Sequence, residues 1–200
     1  KTAKWNQHAP YDQYSPTIEG KKAPTGCVIT AGAILMKYHQ WPKQGTGTIP
    51  GYTTGTHKIE MPAIELGHTY EWSKMPDVYK TNQYSQEQAH QVARLMADLG
   101  TMVKANYDKG STAASSSYYA TYFPIYMDYD KSALFRDRYE YSDSKWHELM
   151  KTELQQNRPV IYSGYNEESG HCFVLDGYTS DDFYSVNWGW GGYCNGYFLL

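Results

Sequence analysis

Cysteine is scarce in this chain, three among 200 residues, and the odd count leaves at least one thiol free or paired outside the chain rather than implying a disulfide framework. Metal-binding spacings are missing too. There is no Cys-x-x-Cys, His-x-x-x-His or His-Glu-x-x-His, so a zinc site would need scattered ligands, and neither metal catalysis nor a cofactor is expected. No apolar run is long enough to span a membrane, and the start, Lys1-Thr2-Ala3-Lys4, lacks the apolar stretch of a signal peptide. The chain therefore reads as cytosolic or as one from which a leader has been removed. Long basic runs are absent as well, and 18 Lys and Arg against 21 Asp and Glu give a formal charge of −3. Nucleic acid and membrane are accordingly discounted as partners.

What is present is enough apolar residue, 40% of the chain, to build a core in one large domain or two closely packed lobes. Residues 1–26 read as extended and turn-rich, with Pro10, Pro16 and Pro24 opposing helix. A helix is predicted from Cys27, with Val28, Ala31, Ile34, Leu35 and Tyr38 on one face and Trp41-Pro42 ending it. Gly45 to Gly55 reads as a surface connection. Ser85 and Gln88 form a capping box ahead of a second helix that buries Val92, Leu95, Met96, Leu99, Met102 and Val103. The small, polar stretch Gly110 to Ser117 reads as a loop, able to approach a ligand closely or simply to turn. A third helix is predicted from Ser144 to Gln156, with Trp146, Leu149, Met150 and Leu154 inward and Asn157-Arg158-Pro159 as its stop.

After Pro159 the pattern changes to strands: Val160 to Ser163, His171 to Leu175 and Phe183 to Asn187, the last two forming an antiparallel hairpin around Thr179 to Asp182. The fold class is thus α+β, with helices first, an antiparallel sheet last and a cleft between.

One constellation suggests chemistry. Cys27 follows Gly26 at a helix start, where unpaired N–H groups and the helix dipole favour thiolate. The hairpin brings His171, which opens one strand, toward Asn187, which closes the next. His171 is a candidate base, and Asn187 could accept from its ring N–H and fix the tautomer, or merely cap the hairpin. Trp188 could shield that hydrogen bond from water or be ordinary packing. Period-two alternation sets Cys172 on the opposite face, away from the presumed site. The Cys27 N–H is one donor for an oxyanion, and Asn6, Gln7 and Gln13 are all available to supply a side-chain amide.

These residues, together with Trp5-Asn6-Gln7, Pro24 to Val28, Lys37 to Pro42, Leu95 to Gly100, Arg158 to Gly164, Gly170 to Tyr178 and Val186 to Gly192, make the chain resemble the streptopain-like cysteine peptidases, a bacterial papain-fold group. The stretches span nearly the whole chain in family order. The resemblance implies a papain-like two-lobed fold, with a helical N-terminal lobe and an antiparallel sheet C-terminal lobe, and a single peptidase catalytic domain over residues 1–200. It implies a cysteine endopeptidase acting on proteins or peptides through a thioester, with Cys27 as nucleophile, His171 as acid and base, Asn187 as orienter and Trp188 as cover. It selects Gln7 for the oxyanion site. An apolar preference two residues before the scissile bond, substrate contacts at Gly170 and Ala113, an inhibitory N-terminal propeptide and export from a bacterial cell also follow from it. The chain then reads as a mature form without its propeptide. Two departures are expected to matter: Cys172 stands where many relatives would have Ala, and the chain stops at Leu200, before a further glycine-rich loop and strand, so its end reads as truncated, naturally short or clipped. Acyl transfer to an amine and an inactive peptide-binding module are the rival readings.

Overall fold

The run from Cys27 to Met36 is too apolar for a surface helix, and in the computed structural model, which describes residues 1–200, it forms α1 (Cys27–His39), buried on almost every side. The one-face spacing understates this, because Ile29, Thr30, Gly32, Ala33 and Met36 are buried along with Val28, Ala31 and Ile34. Gly32 permits the closest approach: a Cβ there would lie 2.3 Å from the Tyr119 hydroxyl, which donates to the Val28 carbonyl at 2.7 Å.

Around α1 the first lobe is completed by three two-stranded ribbons, β1 (Thr17–Ile18) with β2 (Lys21–Lys22), β3 (Thr48–Ile49) with β6 (Ile64–Glu65), and β4 (Tyr52–Thr53) with β5 (Glu60–Met61). The Gly45 to Gly55 stretch is therefore part of paired structure rather than a bare connection. Helix α2 (Gln86–Met102) starts at the expected capping box, Ser85 Oγ accepting from Gln88 N at 3.1 Å and Gln88 Oε1 from Ser85 N at 2.9 Å. Helix α3 (Tyr118–Tyr126) has no counterpart in the sequence reading. Its aromatic residues and internal Pro124 oppose helix, but stacking one turn apart supports it, with Tyr119 and Phe123 centroids 4.5 Å apart and Tyr118 and Tyr122 5.7 Å apart. Helix α4 (Asp143–Gln155) follows its Ser142 cap, with Trp146 and Met150 buried and Leu149 and Leu154 half-buried.

The second lobe is an antiparallel sheet in the order β10-β9-β8-β7, from β7 (Val160–Tyr165), β8 (Gly170–Tyr178), β9 (Phe183–Asn187) and β10 (Gly196–Leu199). The strand β10 lay outside the sequence expectation. Alternation along β8 serves two cores. Cys172 and Val174 join the large cluster that contains α1 and α2, while Phe173 and Leu175 join Trp146, Met150, Tyr184 and Val186 under α4. Each large apolar side chain so buried contributes on the order of 1.5–3 kcal/mol.

The β8–β9 ladder carries an irregularity. It pairs Tyr178 with Tyr184 and Gly177 with Ser185, then resumes with Leu175 opposite Val186 and Val174 opposite Asn187. Asp176 is the extra residue, and it accepts from both the N–H and the hydroxyl of Thr2, at 3.0 and 2.8 Å. A one-residue slip exchanges the faces of every side chain beyond it.

Candidate active site

Gly26 enters α1 at φ +90 and ψ 156, and a Cβ on it would lie 2.5 Å from the Thr112 carbonyl oxygen, so only glycine fits. With no side chain to cap the helix and no acid in its first turn, the N-terminal N–H groups of α1 are left for something else. The Cys27 sulfur lies near the Val28 and Cys172 backbone N–H groups and the His171 ring, all of which favour its thiolate. Burial pushes the Cys27 thiol up, but the His171 bond, the Cys172 amide, the charge of the imidazolium and the Val28 amide together bring it below its ordinary 9.0. For His171, burial opposes the charged form, while the bonds to Cys27 and to the Trp188 carbonyl and the charge on Cys27 carry it above 6.5. The two shifts favour a thiolate beside an imidazolium.

Cys172 does lie on the opposite face of β8 from His171, but that face packs on α1, so it is not remote from the site as the alternation suggested. Its amide reaches the Cys27 sulfur. Its own thiol, on the residue opposite Ser163 in the ladder, is pushed up to about 12 by burial and stays protonated. The third cysteine, Cys194, is exposed and free.

The expectation that the Asn187 amide meets the His171 ring is overturned. Nε2–H of His171 donates instead to the Trp188 main-chain carbonyl at 2.8 Å, which leaves Nδ1 for Cys27. The bulge at Asp176 is the reason. In an unbroken ladder Asn187 would oppose Leu175, on the His171 face; opposite Val174 it points the other way. There its Nδ2 donates to the Ala3 carbonyl at 2.7 Å and to Thr2 Oγ1 at 2.9 Å, and its Oδ1 accepts from Gly189 N at 3.1 Å. Trp188 accordingly covers no Asn–His bond. Its ring packs on Phe173 at 4.7 Å and Phe198 at 5.2 Å, and its N–H and Nε1–H are tied to Asn195 Oδ1 and the Cys194 carbonyl at 3.0 and 2.9 Å. Those bonds hold its carbonyl in place for His171.

Gln7 is tied by its backbone to the residue two before Cys27, its carbonyl accepting from Thr25 N at 2.9 Å, and its side-chain amide is committed to no internal hydrogen bond. Asn6 is engaged otherwise, its carbonyl accepting from Thr30 Oγ1 and its side-chain oxygen from Gln7 N. The Gly110–Ser117 stretch frames the same region: Thr112 Oγ1 donates to the Pro24 carbonyl at 2.7 Å, and Ser116 Oγ lies 3.1 Å from Ser163 Oγ on β7. Ala113, exposed beside Thr112, bridges to Asn106. Gly170 is exposed at the start of β8 under Tyr165, whose ring would meet a Cβ at 2.4 Å. A cavity of about 590 Å³ opens from His171 and Gly170 across Tyr162, Phe173, Trp188 and Phe198. The Cys172 amide and the Trp188 carbonyl are main-chain groups that residue types do not reveal.

Residues 5–198 match the peptidase C10 family. Streptopain from Streptococcus pyogenes is 34% identical over 212 aligned positions, covering 98% of this chain and 53% of that protein, so the chain spans about half the length of this relative. The thiol protease/hemagglutinin PrtT of Porphyromonas gingivalis is 33% identical over 98% of this chain and 23% of its own length. Among solved structures, active wild-type interpain A, a cysteine protease of Prevotella intermedia, superposes with a TM-score of 0.91 at 29% identity, over 99% of this chain and 83% of that one. A fragment of prointerpain A with a cysteine-to-alanine substitution gives 0.89 at 30% identity, over 99% of this chain and 63% of that one.

Proposed function

This chain belongs to the peptidase C10 family, and on that premise we propose that it is a cysteine endopeptidase acting on protein substrates. The observation that carries the reading is Cys27 at the start of α1 beside a His171 ring held by the Trp188 carbonyl, a thiol made easier to ionise next to an imidazole made harder to neutralise. The Cys27 thiolate attacks the scissile carbonyl, and the oxyanion that forms is met by the Cys27 N–H and the free Gln7 amide. His171 then gives its proton to the departing amine, leaving a thioester. Water, losing a proton to the now neutral His171, attacks that thioester and releases the acid and the thiolate.

In this proposal Trp188 serves through its carbonyl, which holds the ring of His171, rather than as a cover for Asn187. Gly170 and Ala113 contact the substrate in this proposal, with an apolar residue preferred two positions before the scissile bond. The name prointerpain A supports a precursor whose N-terminal segment inhibits the peptidase until it is removed, and the bacterial relatives support action outside the cell. No helix is long and apolar enough to cross a membrane.

The test is Cys27→Ala. Hydrolysis of a denatured protein substrate is lost while circular dichroism and the unfolding midpoint are retained. Turnover surviving in that variant refutes the assignment, and product masses carrying an added amine in place of water return the chain to acyl transfer.

A further inference from the structure

Three aromatic rings surround His171. Phe173 lies 6.1 Å away, Trp188 5.9 Å away, and Trp190 stacks nearest, with centroids 4.7 Å apart and planes 28° from parallel. Trp190 has no place in the mechanism above, yet its ring, rather than that of Trp188, lies against the imidazole. Its backbone explains how. Gly189, Gly191 and Gly192 all have positive φ, at +75, +68 and +93, and the turn is held to the first lobe by Gly191 N donating to the Trp5 carbonyl at 3.0 Å. A Cβ on Gly189 or Gly192 would press on Thr30 at 3.1 Å or Lys4 at 2.9 Å. Three glycines at positive φ thus turn one large, exposed side chain against His171.

We propose that Trp190 is a positioning residue for His171, its indole face stabilising the imidazolium over the neutral ring and confining the ring to the plane that reaches both Cys27 and the Trp188 carbonyl. An aromatic face attracts a cation through its quadrupole, and it does nothing comparable for a neutral imidazole. The groups facing His171 leave this effect visible. Helix α1 offers Cys27, the turn after β9 offers the Trp188 carbonyl, β7 sets Gly164 opposite in register, and the neighbouring Cys172 thiol is turned to Ser163. No carboxylate is among the groups that set its protonation. Tyr162 and Tyr165 are the nearest titratable side chains on β7.

The inference rests on the Cys27–His171 reading, so the experiment is chosen to separate the two. The rate of Cys27 alkylation by iodoacetamide is followed from pH 4 to 10 in the intact chain and in Trp190→Phe and Trp190→Leu. In the parent chain the rate rises in two steps, the lower marking formation of the ion pair and the upper marking loss of the imidazolium proton. In Trp190→Leu the upper step moves down by about half a pH unit, the scale of an exposed cation–aromatic contact. In Trp190→Phe most of that shift is restored, which a role in packing alone would not produce. Both variants keep the far-UV spectrum of the parent. An upper step that stays in place in folded Trp190→Leu overturns the proposal and leaves the peptidase reading intact. A single ordinary thiol titration in the parent overturns both.

Discussion

Replacing Gly26 by alanine tests the geometry that sets the nucleophile, and its cost can be separated into two parts by companion substitutions. The backbone at φ +90 and ψ 156 lies in a region that residues with a Cβ avoid, at a cost of order 1–3 kcal/mol. The added Cβ also meets the Thr112 carbonyl at 2.5 Å, a main-chain atom that Thr112 Oγ1 pins by its bond to Pro24, so relief requires moving the loop or α1, about 1–3 kcal/mol more. Gly26→Ala should therefore lose about 2–6 kcal/mol. Gly20 has φ +80 and nothing within 4 Å of its virtual Cβ, so Gly20→Ala carries backbone strain alone, about 1–2 kcal/mol. Gly32 sits in regular helix with a Cβ 2.3 Å from the Tyr119 hydroxyl, so Gly32→Ala carries contact alone, about 1–3 kcal/mol. Urea unfolding at constant m measures all three. Cys27 alkylation should slow in Gly26→Ala and not in Gly20→Ala. A Gly26→Ala midpoint no lower than that of Gly20→Ala would refute the close approach of Thr112 to the nucleophile turn.

Gln7→Ala should lower kcat about 10²–10³-fold with the unfolding midpoint unchanged, the scale for one oxyanion donor, and an unaltered kcat returns that role to another group. The opposed shifts of Cys27 and His171 also predict how stability follows pH. His171, raised above 6.5, holds its proton longer in the folded chain, so its contribution is full below 6.5 and is lost as pH rises through the folded pKa. Cys27, lowered from 9.0, ionises sooner in the folded chain, so its contribution is full above 9.0 and is lost as pH falls through the folded pKa. Subtracting the urea-derived curve of a Cys27→Ala, His171→Ala double variant isolates this shape, and a flat difference would contradict the ion pair. Asn187→Ala should cost about 1–3 kcal/mol, since the Ala3 carbonyl and Gly189 N–H lose a buried partner. Both steps of the Cys27 alkylation profile should stay where they are, whereas a displaced upper step would restore Asn187 as the group that orients His171.

The sequence carried these elements unevenly, for reasons that are local. α1, α2 and α4 were legible from their apolar spacing, reinforced at α2 by the capping box of Ser85 and Gln88. α3 was not, because Pro124 and a run of tyrosines speak against helix and only stacking between turns overrides them. The nearness of Cys27 and His171 followed from a helix start and a strand start. The relation of His171 to Asn187 did not, because it depends on whether the number of residues between them on the hairpin is odd or even, and one bulged residue, Asp176, changes that. What marks the bulge is a bond to Thr2, 174 positions away, which no local pattern contains. Gly189, Gly191 and Gly192 were visible as a motif, but their purpose, turning Trp190 onto His171, needs coordinates.

The same bulge bears on how rigidly the site is held. By flipping Asn187 onto the α1 side, it turns a residue at the sheet's end into an anchor for residues 2 and 3, while Asp176 takes the other end of Thr2. The segment so fastened runs on through Trp5, fully buried with its indole N–H on the Pro76 carbonyl, to Gln7, whose carbonyl holds Thr25 just ahead of Cys27. Cys172 and Val174 meanwhile share one core with α1. Cys27, the segment that bears Gln7 and the strand that bears His171 are therefore fixed through a common interior. A site assembled in this way needs no closure of one lobe on the other to bring sulfur and imidazole together, and changes that loosen residues 2 and 3 should act on Gln7 before they act on the Cys27–His171 pair.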